Sequence, residues 1–319
     1  MAVDSTPALF VDPVTTATGE PRALVKMTGL ETLWFNTGTL CNIACDNCYI
    51  ESSPENDRLE YLSLDDVAGY LDEIDAKGLG TTEIGFTGGE PFMNPDILAI
   101  LRLTLSAGYS ALVLTNAMRP MMRPRIQAGL LDLKREFFGQ LTLRVSIDHF
   151  DATQHEEERG PDTWAPMIKG LKWLHQNQFT FHLAGRTRWG EDERTLREGY
   201  RQMLTGFGIT FDVDDPTALT LFPEIDQNKA VPEITTSCWG ILGVEPQNMM
   251  CATSRMIVKH KGDPAPSVMA CTLLAYDLRF RLGSSLAQAR QPVPLNHPSC
   301  AMFCLSLIHI SEPTRPTPI

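Results

Sequence analysis

The stretch CNIACDNCYI, Cys41–Ile50, places three cysteines at Cys41-x3-Cys45-x2-Cys48 and offers no fourth. Thiolates select iron–sulfur clusters, zinc or copper(I). Four would close a structural metal site, and two would read as a redox pair or a disulfide. Three leave one coordination position open. A zinc site would need a fourth ligand, and no histidine lies close in sequence. The spacing also differs from the bacterial ferredoxin run. Zinc, or structural thiols in chance proximity, are the alternatives to a cluster.

Three further stretches could serve the same chemistry. TGGEP, Thr87–Pro91, has two glycines that let backbone approach a ligand, and Glu90 offers a carboxylate to an ammonium group. Alone, such a loop is an ordinary β-to-α turn. SID, Ser146–Asp148, places polar groups where a strand ends, though a polar residue there is also an ordinary helix cap. Arg186 could grip a carboxylate in bidentate fashion, or pair with a neighbouring acid. His149 and His155 lie near these segments, but a lone histidine in a polar loop is usually solvated, so neither is assigned catalysis.

The elements that must position these groups alternate. Strands are expected over Thr32–Leu40, Thr82–Gly88, Tyr109–Asn116, Leu141–Asp148, Phe179–Thr187 and Gly208–Asp215. Helices are expected after Ser63 as N-cap, with Leu64, Val67, Tyr70, Leu71 and Ile74 on one face and Gly78 as the stop. Others follow over PDILAILRLTLSAG, around Arg123–Phe138, over TWAPMIKGLKWLHQNQ and over Glu191–Phe207. Six β/α alternations predict a parallel sheet curled into a partial (β/α)6, TIM-like barrel of the α/β class. In such sheets chemistry gathers at the C-terminal ends of the strands. The cysteines, TGGEP, LTN and SIDH all fall at that edge. After about Pro216 a smaller, loop-rich, Cys-rich extension is expected.

The division is therefore an arm over 1–29, a core over 30–215 and an extension over 216–304. Leu305–Arg315, LSLIHISEPTR, resembles the in-frame translation of a transposon-end sequencing adapter, with a genuine Pro-rich tail as the alternative. On the adapter reading, residues 305–319 are foreign and the extension is truncated.

Of 319 residues, 27 are Lys or Arg and 39 Asp or Glu, a net charge of −12. That surplus repels phosphates and argues against nucleic acid or anionic membrane as a general partner. The N-terminus carries Asp4, Asp12, Pro7, Pro13 and Pro21 and lacks an apolar stretch of secretory length. No run of about 18 apolar residues occurs. A cytoplasmic location is the default, where eight cysteines read as metal ligands more readily than as disulfides.

Cys-x3-Cys-x2-Cys after a first strand, with Gly-Gly-Glu-Pro after the second, resembles the radical S-adenosylmethionine (SAM) enzyme superfamily from about Leu30 to Asp215. The resemblance implies a [4Fe-4S] cluster on Cys41, Cys45 and Cys48, whose free iron chelates SAM. Reductive cleavage would then give a 5′-deoxyadenosyl radical for hydrogen abstraction. It implies that Gly88, Gly89 and Glu90 contact the methionine amine, and that Ser146, with Asp148, meets the ribose and carboxylate. Asn116 in LTNA resembles the family's Thr-Asn-Gly turn, with Ala117 replacing glycine, and Arg186 could reach the cofactor carboxylate. Many members carry an aromatic before the third cysteine; here Asn47 stands there and Tyr49 follows.

Cys251-x10-Gly262-x8-Cys271 and Cys300-x3-Cys304 resemble SPASM or twitch extensions, which hold auxiliary [4Fe-4S] clusters. Cys251, Cys271, Cys300 and Cys304 are the implied ligands. The interval from Gly262 to Cys271 exceeds the usual one, and a zinc-stabilised extension is the alternative. Cys238 reads equally well as a buried structural cysteine. Relatives of this kind point first to peptide or protein maturation and second to a small-molecule substrate, with flavodoxin or ferredoxin as electron donor. A non-catalytic iron–sulfur carrier is the competing class, though it would not require Gly-Gly-Glu-Pro.

Overall fold

A computed structural model describes residues 8–224 and 230–305. All but the first residue of the expected adapter tail lies outside the described residues. In chain order the strands are β1 (Leu24–Val25), β2 (Thr32–Asn36), β3 (Glu83–Thr87), β4 (Ser110–Thr115), β5 (Leu141–Ser146), β6 (Thr180–Arg186), β7 (Leu219–Phe222), β8 (Ser254–Val258), β9 (Ser267–Met269), β10 (Arg281–Gly283) and β11 (Val293–Pro294). The α-helices are α1 (Leu64–Lys77), α2 (Ile97–Ser106), α3 (Pro124–Glu136), α4 (Ala152–Arg159), α5 (Trp164–Gln176), α6 (Glu193–Gly206) and α7 (Cys238–Leu242).

β2 to β7 lie side by side in chain order, all parallel, with helices in each connection. This is an open (β/α)6 sheet. Strands such as SALVLT in β4 are apolar on both faces because helices pack on one side and the barrel interior on the other. α1 shows how local sequence fixes an element. Ser63 Oγ accepts the Asp66 N–H at 3.1 Å, Asp66 Oδ2 accepts the Ser63 N–H at 3.0 Å, and Gly78 closes the end at φ 55°. Val67, Tyr70, Leu71 and Ile74 are buried, on the expected face.

Two expectations are corrected. Gly208–Asp215 is not a strand: the Asp212 and Asp215 carboxylates accept N–H groups two residues on, at 3.0 and 2.8 Å, and fold this acidic stretch into turns. The sixth barrel strand is Leu219–Phe222 instead. The Cys-rich region is also less separate than expected. β8 extends the barrel sheet, parallel to β2 with Thr32 opposite Ser254, and β9 and β10 follow antiparallel. The N-terminal arm is tied in through β1, which pairs with β11. No helix among the described residues is long and apolar enough to cross a membrane.

Candidate active site

The loop after β2 carries Cys41, Cys45 and Cys48, and all three line one cavity of about 280 Å³ at the C-terminal ends of the barrel strands. Gly88 and Gly89 after β3, Asn116 after β4, and Ser146 and Asp148 at the end of β5 line it as well. Arg186, at the end of β6, completes the ring. Segments separated by up to about 145 residues of chain thus meet at one cavity because parallel strands all end at the same edge.

The two glycines are required by space. Gly88 has φ 136°, and a Cβ there would sit 2.5 Å from the Gly38 carbonyl oxygen. A Cβ on Gly89 would sit 2.2 Å from the Leu40 carbonyl oxygen. The loop after β3 therefore lies directly against the backbone leading into Cys41.

Glu90 is placed otherwise than a ligand-facing carboxylate. It is 1% exposed, and Oε1 accepts the Phe92 N–H at 3.2 Å while Oε2 accepts the Asn116 N–H at 2.9 Å. Both oxygens also accept the Thr115 hydroxyl. The side chain braces the ends of β3 and β4 from beneath the cavity. Burial pushes its carboxyl up to about 7 despite these donors. Asn116 Nδ2 donates to Asn42 Oδ1 at 3.0 Å and lies 3.9 Å from Cys41 Sγ, so this side chain touches the cysteine loop. Its Oδ1 also accepts the Met118 N–H at 3.0 Å and shapes the turn.

Asp148 is almost fully buried between two guanidiniums, accepting from Arg186 Nε at 3.0 Å and from Arg159 Nε. Burial opposes its charge, but Arg159 and Arg186 outweigh that and hold the carboxyl below the usual carboxylate range. Arg186 is fully engaged: beyond Asp148 it bonds Glu224 at 3.4 Å and the Asn47 carbonyl at 3.3 Å. Arg159 is not. Among the described residues only its Nε has a partner, and the guanidinium lines the cavity with Cys45.

The sequence reading missed Glu158 and Arg159, consecutive at the end of α4. Glu158 is fully buried. Its carbonyl accepts the Asp46 N–H at 2.8 Å, its Oε1 accepts the Asn47 N–H at 3.1 Å, and its Oε2 accepts Asn47 Nδ2 at 3.3 Å. Asn47 Nδ2 also donates to Glu224 at 2.8 Å. The residue before the third cysteine is thus held by two carboxylates. The available signal was the Glu-Arg-Gly that follows SIDH by a helix length. His149 and His155 are buried, not solvated, which corrects that expectation. His149 pairs with Glu191 at 3.2 Å, and the His155 ring meets the Trp164 indole edge-on with centroids 5.3 Å apart. His155 sits in α4, which the polar run ATQHEEER concealed, and the His149 ring packs against Phe150 and Trp189.

Three thiols from one short loop line the cavity, a donor set that suits a group taking thiolate ligands. Burial pushes Cys41 up to about 12, with Glu90 adding to it, and burial raises Cys45 as well. Metal-free, both are neutral thiols, and ligation must displace their protons.

Residues 35–194 match the family described as "Radical SAM superfamily". The chain belongs to the radical SAM superfamily. Members use a [4Fe-4S] cluster and SAM. This radical SAM chain is 31% identical over 145 residues, 45% of its length, to the antilisterial bacteriocin subtilosin biosynthesis protein AlbA of Bacillus subtilis, of which it covers 30%. It is 28% identical over 144 residues to an AdoMet-dependent heme synthase of Methanosarcina barkeri, covering 45% of this chain and 38% of that protein. The chain thus spans about a third of the length of these curated relatives. Its fold is similar to that of Streptococcus suis SuiB bound to S-adenosylmethionine, with a TM-score of 0.58 at 14% identity over 88% of this chain and 72% of that one. It is also similar to anSMEcpe with bound AdoMet, with a TM-score of 0.58 at 13% identity over 83% and 81%.

At the other end of the chain Cys251 and Cys300 are buried and Cys304 is half-buried; burial raises the Cys300 and Cys304 thiols, and Cys271 and Cys251 add to both. Cys271 joins them. Cys238 stands apart, with the Thr235 hydroxyl 3.6 Å from its sulfur.

Proposed function

We propose that this chain is a peptide-modifying radical SAM enzyme with its catalytic cluster on Cys41, Cys45 and Cys48. The carrying observation is that the three cysteines, the Gly88–Gly89 backbone and Ser146 line one cavity at the barrel rim. A [4Fe-4S] cluster bound to Cys41, Cys45 and Cys48 would supply the one-electron reductive cleavage of SAM.

The protein's own residues bind and orient. Gly88 and Gly89 bring backbone to the cofactor, Ser146 meets its ribose side, and Asn116 supports Cys41. In this proposal Arg159, whose outer nitrogens are uncommitted among the described residues, takes the cofactor carboxylate. Asp148, Arg186 and Glu158 hold Arg159 and the cysteine loop in place. Glu90 acts from below, through the backbone it braces. The core expected over 30–215 extends to Phe222, and residues 230–304 hold an auxiliary cluster on Cys251, Cys271, Cys300 and Cys304. A flavodoxin or ferredoxin is the electron donor, in the cytoplasm.

A peptide substrate is favoured by AlbA, whose name places it in bacteriocin biosynthesis. The SuiB fold has also been solved with a precursor peptide. Small-molecule chemistry is the second reading, favoured by the heme synthase match. A short precursor-peptide frame beside the gene provides the test. Co-expressed with the native chain, its peptide should change mass, and with Cys45→Ala it should not. An unaltered peptide, together with turnover of a small metabolite, would overturn the peptide reading.

A further inference from the structure

Arg255, in β8, is 1% exposed and heads the fully buried side chains by volume among the described residues. Its Nε donates to the Ala289 carbonyl at 2.9 Å, and Nη1 donates to the Cys251 and Ser254 carbonyls at 2.5 and 2.8 Å. Its Nη2 is buried and has no partner among the described residues. Among the described residues no carboxylate is among the charges that reach it; the groups that do are Cys251 and Cys271.

A cationic guanidinium sealed from water without an anion is strongly disfavoured. Backbone carbonyls orient it but carry no net charge. Four neutral thiols supply none either. Four thiolates around an iron–sulfur cluster form a net anion, and net charge and nearby hydrogen-bond donors are the levers that set such a cluster's potential.

We propose that Arg255 is the counter-charge of an anionic iron–sulfur cluster held by Cys251, Cys271, Cys300 and Cys304, and that it raises that cluster's reduction potential. This rests on the auxiliary-cluster reading. Arg255 acts through charge and is a positioning residue, not a catalytic one. Its Nη2, without a partner among the described residues, is the donor left for the cluster.

The test uses the full chain with Cys41, Cys45 and Cys48 replaced by Ala, so that only the C-terminal cysteines can hold metal. After anaerobic reconstitution with iron and sulfide, the cluster's midpoint potential is read by electron paramagnetic resonance, and its loss to a chelator is timed. Arg255→Met should lower the potential and speed loss about tenfold, the scale of one charge-assisted contact. Arg255→Lys, which keeps the charge, should stay near the native potential. Should Arg255→Met fail to fold, Arg255→Gln keeps a donor for the backbone carbonyls and gives the same comparison. Equal potentials across native, Lys and neutral variants would overturn the inference alone. Absence of iron and sulfide in the native-Arg255 chain would overturn the auxiliary-cluster reading, and the inference with it.

Discussion

Glu90 and Thr115 are joined twice: the Thr115 hydroxyl lies 2.9 Å from one oxygen of the Glu90 carboxyl and 3.0 Å from the other. That carboxyl is buried and its pKa is raised from 4.5 to about 7. The folded, metal-free chain therefore holds this proton more tightly than the unfolded chain does. Its stability is greatest below the unfolded value and falls as pH rises through the folded one. Denaturation of the native chain and of Glu90→Gln at about pH 5 and about pH 8 should show the native chain losing about 2–3 kcal/mol more across the interval. A difference that stays constant would contradict the buried proton.

Gly89→Ala places a methyl 2.2 Å from the Leu40 carbonyl oxygen, backbone against backbone. Neither partner is a flexible side chain that could move aside. We expect a loss of about 2–4 kcal/mol in stability, with reduced iron in the Cys41 loop. Ser146→Ala, at a strand end with room around it, should keep native iron content while weakening SAM. Native iron content in Gly89→Ala would show that the loop after β3 does not set the cysteine loop.

Arg159 and Arg186 both grip Asp148, yet only Arg159 has uncommitted nitrogens toward the cavity among the described residues. Arg159→Gln should weaken SAM binding to the cluster-loaded chain about tenfold, and should change binding of decarboxylated SAM little. Equilibrium dialysis with both ligands reads this directly. Equal losses for both would assign Arg159 to loop support alone.

Local signals carried far along this chain. The Ser63 cap, the Gly78 stop and the apolar face between them mark α1, and runs such as SALVLT mark buried parallel strands. The cysteine spacing and TGGEP marked segments that meet at one strand edge and line one cavity. What escaped is non-local. Asn47 meets Glu158 across 111 residues and Glu224 across 177, and nothing in CDNC announces either partner. The polar run ATQHEEER hides a helix because it buries charges in ion pairs instead of burying apolar side chains. GITFDVDD alternates like a strand, but its aspartates close turns. Ala117, which stands where the resembled Thr-Asn-Gly turn has glycine, adopts φ 56°, a left-handed conformation that glycine takes most readily.

If three thiolates at Cys41, Cys45 and Cys48 hold a cluster with one position open to SAM, reducing that cluster must cleave SAM. Anaerobically reconstituted chain is mixed with dithionite and SAM, and the products are separated by chromatography. 5′-Deoxyadenosine and methionine are expected from the native chain and neither from Cys45→Ala. Intact SAM after full reduction, or zinc in place of iron and sulfide at the three N-terminal cysteines, would contradict it.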